Sequence, residues 1–238
     1  MTQFSDFKEG EVILLDKPYR WTSFDVVNKV RSVLKYKLKL GNVKTGHAGT
    51  LDPLATGLLI ICTGKFTKRI DEFQGLEKEY TGTIVLGSTT PSFDLETEVS
   101  VAEDITGITE EDIAEAVLKL TGIYPQIPPI YSARYIDGTR AYRYAREGQE
   151  VKMEAREVEV TTFEISRIAL PEVDFRIVCS KGTYIRSIAR DLGELLGCGA
   201  HLSVLSRTRI GTFSLNDALS PDEFEKVVCE AFKDSENQ

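Results

Sequence analysis

Apolar positions change period several times along the chain, and each period predicts an element. Residues 12–15 form a short apolar run that predicts a strand. Thr22-Ser23-Phe24-Asp25 has capping-box spacing, and Val26, Val27, Val30, Val33 and Leu34 follow as an apolar helical stripe. Residues 35–44 are lysine-rich and predict a basic loop, whereas 58–62 and 81–86 read as strands. Residues 88–108 are polar and acidic, as a connection would be. Thr109 caps a second helix carried by Ile113, Ala116, Val117 and Leu120, and Gly122 ends it. Pro125, Pro128 and Pro129 then break regular structure. Residues 158–165 and 173–179 alternate in strand fashion, and 185–196 predict a third helix stopped by Gly197 and Gly199. Residues 1–10 are polar and expected to fray. With no repeat, heptad or linker, the pattern supports one mixed α+β domain over residues 1–238.

Composition narrows the class. A hydrophobic fraction of 42% over 238 residues suffices for a full core, which excludes wholesale disorder. No apolar run approaches membrane-spanning length, and the amino terminus lacks the regions of a signal peptide, so a cytoplasmic protein without membrane contact is expected. Cys62, Cys179, Cys198 and Cys229 are scattered without a C-x-x-C pair, which fits reduced thiols rather than disulfides or zinc. His47 and His201 are the two histidines, little material for a metal site or a Ser-His triad.

Charge changes the picture through its distribution. The net charge is −8, yet residues 17–69 hold eleven Lys/Arg against Asp25 and Asp52, a local excess of nine positive charges. Acidic residues gather in 94–115 and in the last twenty positions. Such a basic block suits a phosphate backbone, and equally a solvated basic face.

The most informative run lies inside that block. Residues 44–59 read KTGHAGTLDPLATGLL. A lone aspartate, Asp52, stands between a glycine-rich approach and an apolar exit. Gly46 and Gly49 permit backbone conformations closed to other residues, and Pro53 fixes the turn. This presentation suits a nucleophile or an orienting carboxylate. It also suits a helix N-cap, with Pro53 at the first helical position.

GHAGTLDPLATGLL closely resembles the nucleophile motif of the TruB-type tRNA pseudouridine synthases. Three further segments agree in family order: Asp16-Lys17-Pro18 with Thr22-Ser23; Lys78-Glu79-Tyr80; and CSKGTYIR at 179–186 with GCGAHL at 197–202. The resemblance runs from about residue 11 to about 215. It implies the pseudouridine synthase fold, a mixed central sheet with flanking helices. It also implies an RNA-gripping thumb insertion at about 124–152, within which Arg134 to Arg146 carries four arginines interleaved with Tyr135, Tyr142 and Tyr144. The implied activity is isomerisation of uridine to pseudouridine at position 55 in the tRNA T-arm. It needs no redox cofactor or metal, and no dinucleotide or phosphate loop is visible. The implied partner is the T-arm stem-loop of tRNA, bound by a monomer.

By the same resemblance Asp52 is the nucleophile, Arg186 its pairing arginine and Tyr80 the active-site tyrosine. His47, Tyr80, Tyr184 and Leu205 contact the substrate. Lys17, Lys35, Lys37, Lys39, Lys44, Arg134, Arg140 and Arg143 are expected to meet RNA, with Lys17 alternatively supporting the active-site loop. Taken alone, Arg186 reads as a surface arginine, Tyr80 as an ordinary strand tyrosine, Tyr184 as a half-buried core tyrosine, and Leu205 as plain core. Two departures stand out: Arg20 replaces the family's usual glycine, and the chain ends after one short acidic helix and tail, about 220–238, without the PUA domain of many members. The rival readings are an RNA-folding helper whose chemistry is dispensable, and a hydrolase with an aspartate nucleophile. The latter lacks the expected second aspartate and phosphate cradle.

Overall fold

The computed structural model describes residues 6–100, 103–132, 135–136, 138–147, 151 and 153–236. In chain order the elements are β1 (Val12–Lys17), α1 (Ser23–Ser32), β2 (Thr45–His47), β3 (Thr56–Thr63), α2 (Ile70–Gly75), β4 (Lys78–Leu86), α3 (Glu110–Lys119) and β5 (Gly122–Gln126). There follow β6 (Tyr135–Ile136), β7 (Thr139–Arg140), α4 (Ala141–Arg146), β8 (Arg156–Ala169), β9 (Glu172–Cys179), α5 (Ile185–Leu196), β10 (Ala200–Ile210), β11 (Phe213–Ser214) and α6 (Pro221–Glu236). The fold is α+β, with mixed strand pairing and flanking helices. The chain divides into two compact units, Met1–Tyr80 with Ser206–Gln238, and Thr81–Leu205.

In the first unit β3 is the central strand. It pairs antiparallel with β1, from Val12↔Cys62 to Lys17↔Gly57, and with β2 through Thr45↔Thr63 to His47↔Ile61. It pairs parallel with the end of β10 through Ser206↔Thr56 and Arg207↔Gly57. Covered on both faces, it must be apolar on both, which explains its unbroken Leu-Leu-Ile-Ile run. Leu59 and Ile61 pack with Val26, Val27, Val30, Val33 and Leu34 of α1 and its continuation, and with Phe224 and Val228 of α6. Leu58, Ile60 and Cys62 face the other way, towards Phe73 and Ile210. The carboxyl-terminal helix is therefore core-bearing, sixteen residues long, rather than a short acidic appendage. Gly57 allows the close β3–β10 approach: it has φ +102°, and a Cβ there would collide with the backbone of Arg207.

In the second unit the strand order is β10, β4, β9, β8, β5. The long β8 pairs antiparallel with both β9 and β5. Helix α5 buries Ile185, Ile188, Ala189 and Leu192 and packs against α3. Thr109 forms a full capping box with Asp112 at the start of α3, as Thr22 does with Asp25 at α1.

Three expectations are corrected, and one strand was not foreseen. Pro125 does not break structure but lies inside β5, tolerated because an edge strand needs fewer ladder donors. Residues 35–44 are not all loop: a π-helical turn, Val33–Lys37, prolongs α1 and buries Val33 and Leu34. Strand β10 was not legible, because His201, Ser203, Ser206, Arg207 and Arg209 interrupt its apolar alternation. The N-cap reading of Asp52 also fails. No helix follows it; the Ala55 N–H closes a tight turn on the Asp52 carbonyl at 3.1 Å, and β3 begins at Thr56.

Candidate active site

Asp52 is half-buried on the turn between β2 and β3, and side chains from three other segments hold that turn in place. Ser23, at the start of α1, accepts from the Leu51 N–H at 2.8 Å and donates to the Leu51 carbonyl at 3.1 Å. Lys17, at the end of β1, donates from Nζ to the carbonyls of Trp21 (2.6 Å), Pro18 (3.0 Å) and Pro53 (3.3 Å). Arg207, on β10, donates from Nε to the Leu58 carbonyl (2.8 Å) and from Nη2 to that of Gly49 (3.1 Å). The glycines of the run have different duties. Gly49 takes φ +93°, whereas Gly46 makes room for packing, since a Cβ there would stand 2.8 Å from Ile70 Cδ1.

Lys17 is fully buried, so it is not a surface cation. Its ammonium cannot meet a phosphate without leaving three carbonyls, and the geometry fits the alternative role of supporting the loop. Burial lowers its pKa to about 8, while the charges of Asp52 and Asp16 oppose the shift. Arg207 is equally buried, at 1% exposure, and sequence reasoning missed it. The available signal was its place two residues beyond Leu205 on one strand, which puts both side chains on the same inward face. His47 is half-buried on β2. Burial, with the nearby Arg207 charge, lowers its pKa below the ordinary 6.5, so the ring is neutral at pH 7. A neutral imidazole suits hydrogen bonding or stacking more than carrying a charge.

Arg20 takes a left-handed backbone conformation, one that favours glycine. It has φ +67°, and its N–H donates to the Pro53 carbonyl at 2.8 Å, tying the β1–α1 turn to the Asp52 turn. A side chain in this region costs about 1 kcal/mol, partly offset by the freedom glycine loses on folding. Arg20→Gly should therefore unfold at higher denaturant, by about 0.5 kcal/mol, and Arg20→Ala should not. Urea titration of both decides it; a glycine variant weaker than the alanine one would refute strain at this position.

Tyr80 is buried near the start of β4, two residues after Lys78, whose ammonium caps the carbonyls of Gln74 and Leu76 at the end of α2. The remaining expected residues belong to the second unit. Arg186 is 3% exposed, not a surface arginine. It donates to the carbonyls of Ser92 (3.0 Å) and Tyr131 (2.9 Å) and lies 3.5 Å from the Asp94 carboxylate. Tyr184, the residue before α5, is clamped by a side chain that the sequence did not flag. Gln126 accepts from the Tyr184 N–H at 2.8 Å and donates to its carbonyl at 3.2 Å. Leu205 is buried in β10.

Among the basic residues, Lys35, Lys39 and Lys44 are exposed, Lys44 on a shallow groove shared with Lys8, Lys65 and Lys68. Lys37 is exposed but pairs with Glu225 of α6 at 3.3 Å, and Lys29 pairs with Glu225 and Asp222 at 2.6 and 3.0 Å. Arg143 is exposed on α4, Arg140 ends β7, and Arg134 lies outside the described residues. Among the described residues no His/Cys/Asp/Glu cluster could hold a metal ion, and no helix is long and apolar enough to cross a membrane.

Comparison with known proteins shows the family. The family model "TruB family pseudouridylate synthase (N terminal domain)" matches residues 35–185, and "tRNA pseudouridylate synthase B C-terminal domain" matches 186–237. A protein named tRNA pseudouridine synthase B from Phocaeicola vulgatus is 53% identical over 219 residues, covering 92% of this chain and 93% of its own. One of the same name from Flavobacterium johnsoniae is 53% identical over 224 residues, covering 94% and 98%. Among solved structures, a chain of a Cbf5-Nop10-Gar1 complex shares 28% identity at a TM-score of 0.70, over 92% of this chain and 54% of that one. A chain of an H/ACA RNP bound to a substrate RNA containing 2'-deoxyuridine shares 26% at 0.69, over 96% and 56%. The chain thus spans about half the length of those two solved chains.

Proposed function

The chain belongs to the TruB family of pseudouridine synthases, and from that membership we propose that it isomerises uridine 55 in the T-arm of tRNA, with Asp52 as the nucleophile. The observation that carries this reading is the turn itself. Ser23, Lys17 and Arg207 arrive from separate segments to hold the backbone on either side of one carboxylate. A helix cap or solvated acid needs no such support, whereas a nucleophile must be held within a fraction of an ångström.

The reaction breaks the N–C glycosidic bond of uridine, turns the uracil and forms a C–C bond in its place. Electrons balance within the substrate, so no redox partner takes part. A carboxylate can attack carbon and leave again, which suits either a covalent or an ion-pair intermediate. The target base is stacked in its loop and must first be exposed. Tyr80 is the residue proposed to stack on the flipped uracil and to help move a ribose proton or position its base. Arg186 is the cation proposed to keep the nucleophile ionised. His47, Tyr184 and Leu205 are proposed to contact the substrate. The whole chain is proposed to act as one cytoplasmic, monomeric catalytic domain, with residues 124–152 as its RNA-gripping insertion.

Incubating the protein with unmodified tRNA transcript and mapping pseudouridine tests the reading directly. One modified position, in the T-arm, is expected. An isolated T-arm stem-loop should react within about tenfold of whole tRNA, or 1.4 kcal/mol. No product, or product at another site, would overturn the assignment.

Electrostatics gives a second test. The basic block predicts RNA binding that weakens steeply as salt rises. Reversing Lys35, Lys37 and Lys39 to glutamate should lower affinity and flatten that dependence, with Lys37 contributing least because Glu225 already faces it. An unchanged salt slope would show these lysines to be a solvated face.

A further inference from the structure

Tyr19 (51%), Phe24 (56%) and Tyr36 (67%) are aromatic side chains exposed by half or more. All three lie on the short stretch from the β1–α1 turn to the π-helical turn after α1. Each carries a cation over its ring: Arg20 over Tyr19 at 5.6 Å, Arg31 over Phe24 at 5.6 Å, and Lys35 over Tyr36 at 5.1 Å from the centroid. Exposed rings of this size are unfavourable in water and contribute nothing to the core. The apolar stripe of α1 is used up by Val26, Val27 and Val30, which lie inside. Helical spacing puts Phe24, Asn28 and Arg31 on one outward stripe. Arg31 is also anchored, donating from Nη2 to the Thr45 carbonyl at 2.7 Å.

We propose that this strip binds unstacked nucleobases of the RNA beyond the target uridine, the rings stacking on bases and the paired cations meeting the flanking phosphates. A cation over one face of a ring leaves the opposite face open and holds the ring still, which lowers the ordering cost of stacking a base there. Alternating π-surfaces and positive charges suit a single-stranded or looped segment, which offers both free base faces and phosphates. A purely helical RNA offers phosphates but no free base faces, so it would use the cations alone. The proposal rests on the RNA substrate already inferred, and adds where and by what chemistry the loop is held.

The test compares the wild type with Phe24→Ala, Tyr36→Ala and Tyr36→Trp, using an RNA stem-loop and a blunt RNA duplex of equal length. Each alanine variant should lose about tenfold in stem-loop affinity, from one lost stacking contact. Duplex affinity should change by less than twofold, and the salt slope of stem-loop binding should match the wild type, since no charge is removed. Tyr36→Trp should bind at least as tightly as the wild type. Because the rings are exposed, melting temperatures should be unchanged. Stem-loop affinity within twofold of wild type in both alanine variants would overturn the proposal, as would an equal loss for the duplex. A flattened salt slope would also overturn it, by showing that the rings merely position the cations. So would self-association of the wild type that the alanine variants abolish without change in RNA affinity. Failure of the wild type to bind or modify the stem-loop is a different result, and speaks against the proposed substrate instead.

Discussion

Asp52→Asn should reduce pseudouridine formation by roughly 10⁴-fold, the scale of losing an essential nucleophile, while the protein stays folded and binds RNA as before. The amide keeps the size of the side chain. The closing bond of the turn uses the Asp52 carbonyl, and Ser23, Lys17 and Arg207 reach neighbouring backbone, all of which the amide leaves in place. Since no helix starts at Asp52, no cap is lost. Arg186 retains the Ser92 and Tyr131 carbonyls and the Asp94 carboxylate, so it is not stranded by the change. Removing one negative charge from a phosphate-binding protein cannot weaken RNA binding electrostatically. The measurement is product formed in a single turnover, with circular dichroism and melting as controls. A folded variant that isomerises uridine at the wild-type rate would remove the nucleophile assignment. A variant that folds and binds RNA but yields no product would set catalysis apart from a folding-helper role.

Lys17→Met should be the most destabilising change near the site, by about 3–5 kcal/mol, or on the order of 10 °C in melting temperature for a chain of this size. Methionine fills the space but leaves the Pro18, Trp21 and Pro53 carbonyls without their shared donor in a fully buried position. Activity should fall as well, through kcat more than KM, because Pro53 adjoins the nucleophile. The pH dependence identifies the ammonium as the cause. Its native pKa of about 8 lies below the ordinary lysine value of 10.5, so between those values the unfolded chain holds a proton that the folded one has released. The Lys17 contribution to stability therefore rises with pH from about 8 to 10.5 and is flat below 8. The Cys62 thiol, pushed up to about 11 by burial, acts in the opposite sense, so the informative quantity is the wild-type minus Lys17→Met difference across that window. A difference that does not change with pH would show that Lys17 is not a buried, charged support. A loss below about 1 kcal/mol would show that its three carbonyls find other donors.

Local pattern was enough for much of the fold. The capping boxes at Thr22 and Thr109, the helix at 185–196 and the β8–β9 pair are written in short-range spacing, because caps and amphipathic stripes depend on neighbours three and four residues away. The proposed site could be named for a similar reason: the Asp52 turn, Tyr80 and the Tyr184-Ile185-Arg186 run are contiguous motifs, recognisable without knowing what surrounds them. Strand β10 was not, since a strand that carries an inward arginine and histidine breaks the alternation by which strands are recognised.

The sequence by itself therefore determined the type of several elements, the family and the identity of the proposed reacting groups. Tertiary structure alone decided what each charged side chain is for. Lys17 and Arg207 look like ordinary cations of a basic protein until the fold buries them against carbonyls 36 and 158 residues away. Lys35 looks the same and stays in water over a tyrosine ring. A charge becomes structural or available according to how much solvent it loses and which acceptors replace it, and both depend on segments that meet only when β1, α1, β3 and β10 assemble.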